Sequence, residues 1–124
     1  MRLNLAQYPT AIAQAMQAMN EVEYQLNEVR QHLAKLEGNA EMIVAFETGL
    51  KNDNQRKARR FEVLQANLEY TQALQTLNRL TMDKANATAR LEHLRNEFGV
   101  AKLETQLEIA QKLVGLETRE LVGI

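Results

Sequence analysis

The sequence predicts an all-α protein, an antiparallel coiled-coil-like hairpin of a shorter and a very long helix, with a C-terminal helical extension. Good helix formers dominate its 124 residues, which include one Pro and five Gly. Apolar residues recur at steps of three and four along two long stretches, which is the spacing of amphipathic helices. A short apolar segment that ends in a turn separates the two stretches. We expect a single helical domain that spans residues 1–124.

The first stretch predicts a helix over about residues 10–37. Pro9 fits the first turn of a helix, with either Tyr8 or Thr10 as its cap. A nearly heptad-spaced apolar seam follows, formed by Ile12, Met16, Met19, Val22, Leu26, Val29, Leu33 and Leu36. Gly38 then matches the glycine that commonly ends a helix.

The segment from about residue 38 to residue 51 is predicted to connect the two helices. The run from Met42 to Phe46 is apolar and contains β-branched residues, and Thr48-Gly49 is typical of a turn. Periodicity leaves two alternatives, an ordered loop across the end of the helices or a short helical turn at 40–47. We expect the loop, with its apolar side chains closing the end of the helical seam.

The second stretch predicts one long helix over about residues 52–117. Asn52 is the expected N-cap, and Gln55 completes a capping box. Its apolar positions include Phe61, Leu64, Leu68, Leu74, Leu77, Leu91, Leu94 and Phe98. Gly99 is a possible kink, although we expect a continuous or gently bent helix there.

Helix lengths predict self-association. The long helix would measure roughly 68 Å to residue 97, against roughly 42 Å for its partner. After residue 98, two apolar stripes lie on different sides of the helix, and one short helix cannot cover both. We therefore predict a homodimer whose interface contains Leu103, Leu107, Ala110 and Val114, with Phe98 near its edge.

Composition and motifs argue against several classes of function. The chain has no cysteine, phosphate-binding loop or nucleophile motif, so we expect no enzyme, no catalytic residues and no cofactor. His32 and His93 each lie one turn from a carboxylate, but their spacing does not match a metal site. No apolar run is long enough for a membrane span, and no signal peptide is evident. We expect a cytoplasmic protein without membrane contact.

One compact basic block interrupts a mildly acidic chain. Residues 51–60 carry five basic side chains and one acidic one, whereas the net charge of the whole chain is −1. Arg56, Lys57, Arg59 and Arg60 lie in the first turns of the long helix, where guanidinium groups suit phosphate or an acidic partner. The alternative is a solvated face with internal ion pairs such as Arg59 with Glu62. Nucleic acid is not favoured, because the domain as a whole is not basic.

Two segments carry a pattern that extends this interpretation. Residues 52–58 follow Asn-acid-x-Gln-Arg-Lys-Ala at a helix start, and residues 91–98 follow Leu-x-x-Leu-Arg-x-x-Phe. With these segments the chain resembles, over roughly residues 46–114, small helical proteins encoded in phage and prophage gene clusters near recombination and replication genes. The resemblance implies a context rather than an activity.

The expected function is therefore that of a non-enzymatic helical interaction or adaptor protein, an accessory protein of a phage or mobile element. It would act as a homo-oligomer with an unidentified protein partner. The alternatives are a nucleic-acid-binding accessory protein that uses residues 56–60, and a structural assembly protein.

Overall fold

Three α-helices make up most of the protein. The computed structural model describes the backbone of residues 2–122 and the side chains of residues 2–116. Helix α1 is Tyr8–Phe46, preceded by a 3₁₀ turn at Leu5–Gln7, helix α2 is Asp53–Gln65, and helix α3 is Leu68–Val122. The described residues contain no strand, and α1 packs against α3, which confirms the predicted all-α hairpin.

The chain forms two compact units, Met1–Ala18 with Ala87–Ile124 (unit 1) and Met19–Asn86 (unit 2). Helices α1 and α3 each contribute a segment to both units. The division in α3 falls within residues 81–89, where the one large aliphatic side chain, Met82, is 69% exposed. Small side chains bury little apolar area there, so each unit has its own buried core.

The core of unit 2 contains part of the seam predicted for the first helix. Leu26 and Leu33 are 1% and 6% exposed, which confirms their place in the seam, whereas Met16 in unit 1 is 40% exposed. Within unit 2, the buried apolar side chains of α1 are Leu26, Leu33, Leu36, Ala40 and Val44, and those of α3 are Ala73 and Leu80. The antiparallel direction is evident from Lys84 Nζ, which lies 2.8 Å from Glu23, and from His32 Nε2, which lies 3.1 Å from Glu69. Phe61 and Leu68, by contrast, are mostly exposed rather than part of an apolar seam.

Helix α1 does not end at Gly38, so the predicted boundary at 37 and the loop from 38 are wrong. The helix continues for two more turns because Ala40 and Val44 extend the buried seam. Their packing offsets the cost of about 1 kcal/mol for a glycine in a helix. The turn is formed instead around Gly49, whose φ of +94° suits a residue without Cβ. Met42, Ile43 and Phe46 consequently face outward instead of closing the seam.

Gly38→Ala is expected to raise the free energy of unfolding by about 1 kcal/mol, because alanine costs less conformational entropy in a helix. A Cβ at Gly38 would meet no atom within 4 Å. Gly49→Ala is the matched variant and is expected to destabilise by about 1 kcal/mol, because its φ is positive. Urea unfolding at one protein concentration measures both, and equal effects of the two changes would contradict the assignment of the turn.

Unit 1 is centred on Tyr8, whose side chain is fully buried. Its ring stacks on Phe98 at a centroid distance of 5.5 Å, and its hydroxyl lies 3.4 Å from Glu97 Oε2, to which it donates. Neither Tyr8 nor Thr10 caps the helix, since Tyr8 is its first residue and the chain already turns at Asn4, whose N–H donates to Gln7 Oε1. Tyr8 therefore contributes a buried aromatic ring to the core of unit 1 and does not cap the helix.

The predicted long helix over 52–117 is divided at Ala66–Asn67 into α2 and α3. Asn67 Oδ1 accepts from the N–H groups of Glu69, at 3.0 Å, and Tyr70, at 3.4 Å. Asparagine offers the backbone this alternative to helix, and so starts a new helix without any Gly or Pro. Beyond this break, α3 runs through Gly99 and reaches Val122.

Asn52 is the N-cap of α2, as predicted. Its Oδ1 accepts from the Gln55 N–H at 2.9 Å, whereas Gln55 Oε1 accepts from the Lys51 N–H, one residue before the expected partner.

Asn52→Ala is expected to destabilise the protein by about 1 kcal/mol, because the Gln55 N–H loses its acceptor. Thermal unfolding followed by circular dichroism measures the loss. Asn54→Ala is the control, and an equal loss in both variants would contradict the cap.

Candidate interaction surfaces

The basic block lies on the first three turns of α2 and faces carboxylates of its own unit. Its three arginines form ion pairs: Arg56 with Asp53 at 3.0 Å, Arg59 with Glu47 at 2.8 Å and Glu62 at 3.2 Å, and Arg60 with Glu41 at 2.9 Å. The pair of Arg59 with Glu62 predicted from the sequence is thus confirmed. Glu41 and Glu47 reach the block because α1 extends beyond Gly38, which the sequence interpretation had missed.

These pairs neutralise most of the charge of the block. The hydrogen bond that Arg59 donates to Glu47, with a second that it donates to Glu62, raises the pKa of the Arg59 guanidinium above its ordinary value. Among the described residues, Lys57 has no ion-pair partner. The arginine side chains remain 39–52% exposed, so each pair contributes little stability in water. A phosphate would therefore compete with carboxylates that are already in place.

A cleft of about 240 Å³ separates the end of α1 from α2. Val44 and Ala45 provide apolar lining, and Arg56, Lys57 and Arg60 line it together with Glu41 and Asp53. On another side of α1, Met42, Ile43 and Phe46 are 59%, 51% and 81% exposed. The sequence interpretation assigned no site to these three side chains because it placed them in a loop.

The predicted dimer interface lies on the C-terminal part of α3 in unit 1. Leu103, Leu107 and Val114 are 66%, 58% and 62% exposed, and Ala110 is also exposed. Phe98 differs from them, because it is half-buried against Tyr8 of the same chain and Lys102 Nζ lies 4.4 Å from its ring centroid. The interface itself stays a prediction, and Phe98 contributes to the core of unit 1.

The second apolar stripe on this part of α3 is exposed as well. Ile109, Leu113 and Leu116 are 53%, 56% and 54% exposed. The two stripes together form what we call the α3 apolar face: Val100, Leu103, Leu107, Ile109, Ala110, Leu113, Val114 and Leu116. From Lys102 to Leu116, the structure leaves every described residue except Thr105 in the exposed range. This is a large exposed apolar surface.

The heptad pattern of α3 explains where internal packing stops. Steps of three and four lead along the inner seam through Ala73, Leu77, Leu80, Lys84, Ala87, Leu91, Leu94, Phe98, Ala101 and Thr105. The next two seam positions hold Glu108 and Lys112, which do not form an apolar contact. Near the end of this seam, Arg2 pairs with Glu104 at 3.2 Å. The α3 apolar face lies on the outer positions of the same pattern.

The two histidines belong to different units, His32 to unit 2 and His93 to unit 1. His32 contacts Glu69 of α3 rather than the nearby Glu28, and His93 Nε2 lies 2.9 Å from Glu97, the carboxylate one turn away. Within the part of the chain that the structure describes, no group of three His, Cys, Asp or Glu side chains could hold a metal ion. The first pair joins α1 to α3, and the second lies within α3.

Comparison with protein-family models, with curated proteins and with solved structures gives no match to this chain. None of the described helices combines the length and the apolar character of a membrane span. The surfaces that bear on function are therefore the basic block, the exposed side chains at the end of α1 and the α3 apolar face.

Proposed function

We propose that this protein is a non-enzymatic helical interaction protein that self-associates and serves as an adaptor. The observation that carries the proposal is the α3 apolar face, whose large side chains are about half or more exposed. A side chain such as leucine gains roughly 1.5–3 kcal/mol when it is fully buried. Exposed leucines at three- and four-residue spacing are typical of helices that bind another helix.

The cellular role belongs to the same proposal. The resemblance to small helical proteins of phage and prophage gene clusters suggests an accessory protein of a mobile element, in which the hairpin presents surfaces to an unidentified protein partner. Two surfaces support an adaptor: the α3 apolar face in unit 1, and the exposed Met42, Ile43 and Phe46 in unit 2. A structural assembly protein is the related alternative, in which self-association is the whole function.

A nucleic-acid-binding role for residues 56–60 is the weaker proposal. Each of the three arginines already contacts at least one carboxylate, so binding of phosphate requires the exchange of existing ion pairs. A salt titration of binding to single- and double-stranded DNA separates the roles, since phosphate contacts make affinity fall steeply with salt.

Light scattering over a concentration series tests self-association. We expect the wild type to exceed the chain mass of 14.2 kDa at micromolar concentration. Leu107→Glu should return the mass to that of one chain, because a carboxylate in an apolar interface loses hydration without a partner. Lys112→Glu is the control on the polar side of the same helix. It changes the charge by more than Leu107→Glu does, and it should leave the mass unchanged.

A wild-type mass of 14.2 kDa at high micromolar concentration would refute self-association. Equal dissociation by Leu107→Glu and Lys112→Glu would show that charge alone controls the assembly, and would move the interface away from the apolar face. Circular dichroism of each variant checks that the helices are retained.

A further inference from the structure

We infer that the α3 apolar face packs against two neighbouring copies of itself, so that the assembly contains at least three chains rather than two. The inference rests on the self-association proposed above and adds the number and arrangement of the partners. It depends on three features of the segment from Val100 to Leu116, which lies within unit 1.

The first feature is the width of the apolar face. At about 100° between successive helix residues, its side chains span an arc of roughly 200° from Val100 to Leu116. Glu104, Glu108 and Lys112 occupy the remaining sector. A two-stranded coiled coil needs a narrow stripe at two positions of seven, whereas a helix apolar over a wider arc is covered from more than one direction.

The second feature is that both halves of the face are largely exposed within the described chain. Leu103 and Leu107 in one half are 66% and 58% exposed, and Ile109 and Leu113 in the other half are 53% and 56% exposed. A homodimer through Leu103, Leu107, Ala110 and Val114 would cover one half. Ile109, Leu113 and Leu116 would still face water.

The third feature is the size and chemistry of the face. Its seven large side chains offer on the order of 500 Å² of apolar area per chain, at the area per side chain that transfer energies imply. Each partner in a stable interface buries about 800 Å², of which roughly 56–65% is apolar. Both halves together thus match the apolar area of one chain's share, and a contact through one half alone would bury only part of it. Lys102 and Gln106 also lie among these positions, and the Lys102 ammonium is folded onto the Phe98 ring of the same chain.

An assembly of three or more chains around one rotation axis would account for the width, the exposure and the area of the face. When three or more identical segments surround one axis, each has a neighbour on both sides, and each contact joins one half of the face to the other half of the next copy. Such an arrangement buries both halves with a single repeated contact. A two-fold pair of α3 segments covers one half of the face twice.

Sedimentation equilibrium of the full chain and two variants tests the inference. We expect a wild-type mass of about 43 kDa or more, three or more times the chain mass of 14.2 kDa. Leu113→Glu should lower the assembly by at least one chain, because Leu113 lies on the half that a dimer would leave open. Lys112→Glu, its neighbour on the polar side, should keep the wild-type mass.

The outcomes separate the two proposals. A wild-type mass of about 28 kDa, twice that of one chain, would overturn the inference and leave self-association intact. An unchanged mass for Leu113→Glu would also overturn it, because the second half of the face would then be unused. A mass of one chain would refute both proposals. If Leu113→Glu loses helical circular dichroism, Leu113→Gln replaces it with a neutral polar side chain of similar length.

Discussion

Leu26→Ala is expected to lower the free energy of unfolding by about 2–5 kcal/mol. Leu26 is 1% exposed in the core of unit 2, so its truncation loses buried apolar area and leaves a cavity. For a chain of this length, that loss lowers the melting temperature by roughly 8–20 °C. Calorimetry at one fixed protein concentration measures the shift, since self-association would make the melting temperature depend on concentration.

Gln31→Ala is the control for this prediction. Gln31 lies on the exposed side of the same helix, and a change there should stay within about 0.5 kcal/mol. A Leu26→Ala cost as small as the control would place Leu26 outside the core and would contradict the seam.

Tyr8→Ala is expected to have a comparable effect, about 3–5 kcal/mol on the stability of unit 1. The ring is fully buried and stacks on Phe98, so alanine leaves a large cavity between α1 and α3. Amide hydrogen exchange resolves the loss within unit 1, and urea unfolding gives its contribution to the whole chain.

Tyr8→Phe separates the ring from the hydroxyl. The hydrogen bond to Glu97 is long, at 3.4 Å, so its removal should cost less than about 1 kcal/mol. If Tyr8→Phe destabilised as much as Tyr8→Ala, the contact with Glu97 rather than ring burial would hold the start of α1 in place.

Sequence periodicity predicted the fold class and the seam of α1, because packed helices need apolar residues at fixed spacing. Leu26 and Leu33 are examples, and the cap at Asn52 followed from an equally local rule. The helical spacing and the cap each depend on residues within a turn or two of each other, so they can be predicted from the sequence alone.

The boundaries that failed are those at which tertiary packing competes with a local preference. Gly38 favours a helix end locally, but Ala40 and Val44 bury against the rest of unit 2 and extend the helix through it. Asn67 shows the opposite case, because its side chain ends one helix and caps the next in a stretch that otherwise favours continuous helix. Neither balance can be evaluated from spacing alone.

Of the two candidate surfaces, the sequence predicted the apolar stripes of α3 better than the ion pairs of the basic block. The apolar stripes of α3 were evident as periodic residues, and their exposure in the structure agrees with the prediction that the chain leaves them uncovered. The state of the basic block was less predictable, because Glu41 comes from the last part of α1 and Glu47 directly follows that helix. That segment was expected to be a loop, so its carboxylates were not counted as partners.

The antiparallel pairing of α1 and α3 also dictates an order of folding. Contacts near the turn join residues close in sequence, as in Glu47 with Arg59, twelve residues apart, whereas Arg2 and Glu104 are separated by 102. Closing the longer loop directly from the unfolded chain costs about 2 kcal/mol more in entropy. Once the turn has formed, each further contact closes a short loop. We therefore expect the hairpin to assemble from Gly49 outward, with the stacking of Tyr8 on Phe98 among the last contacts made.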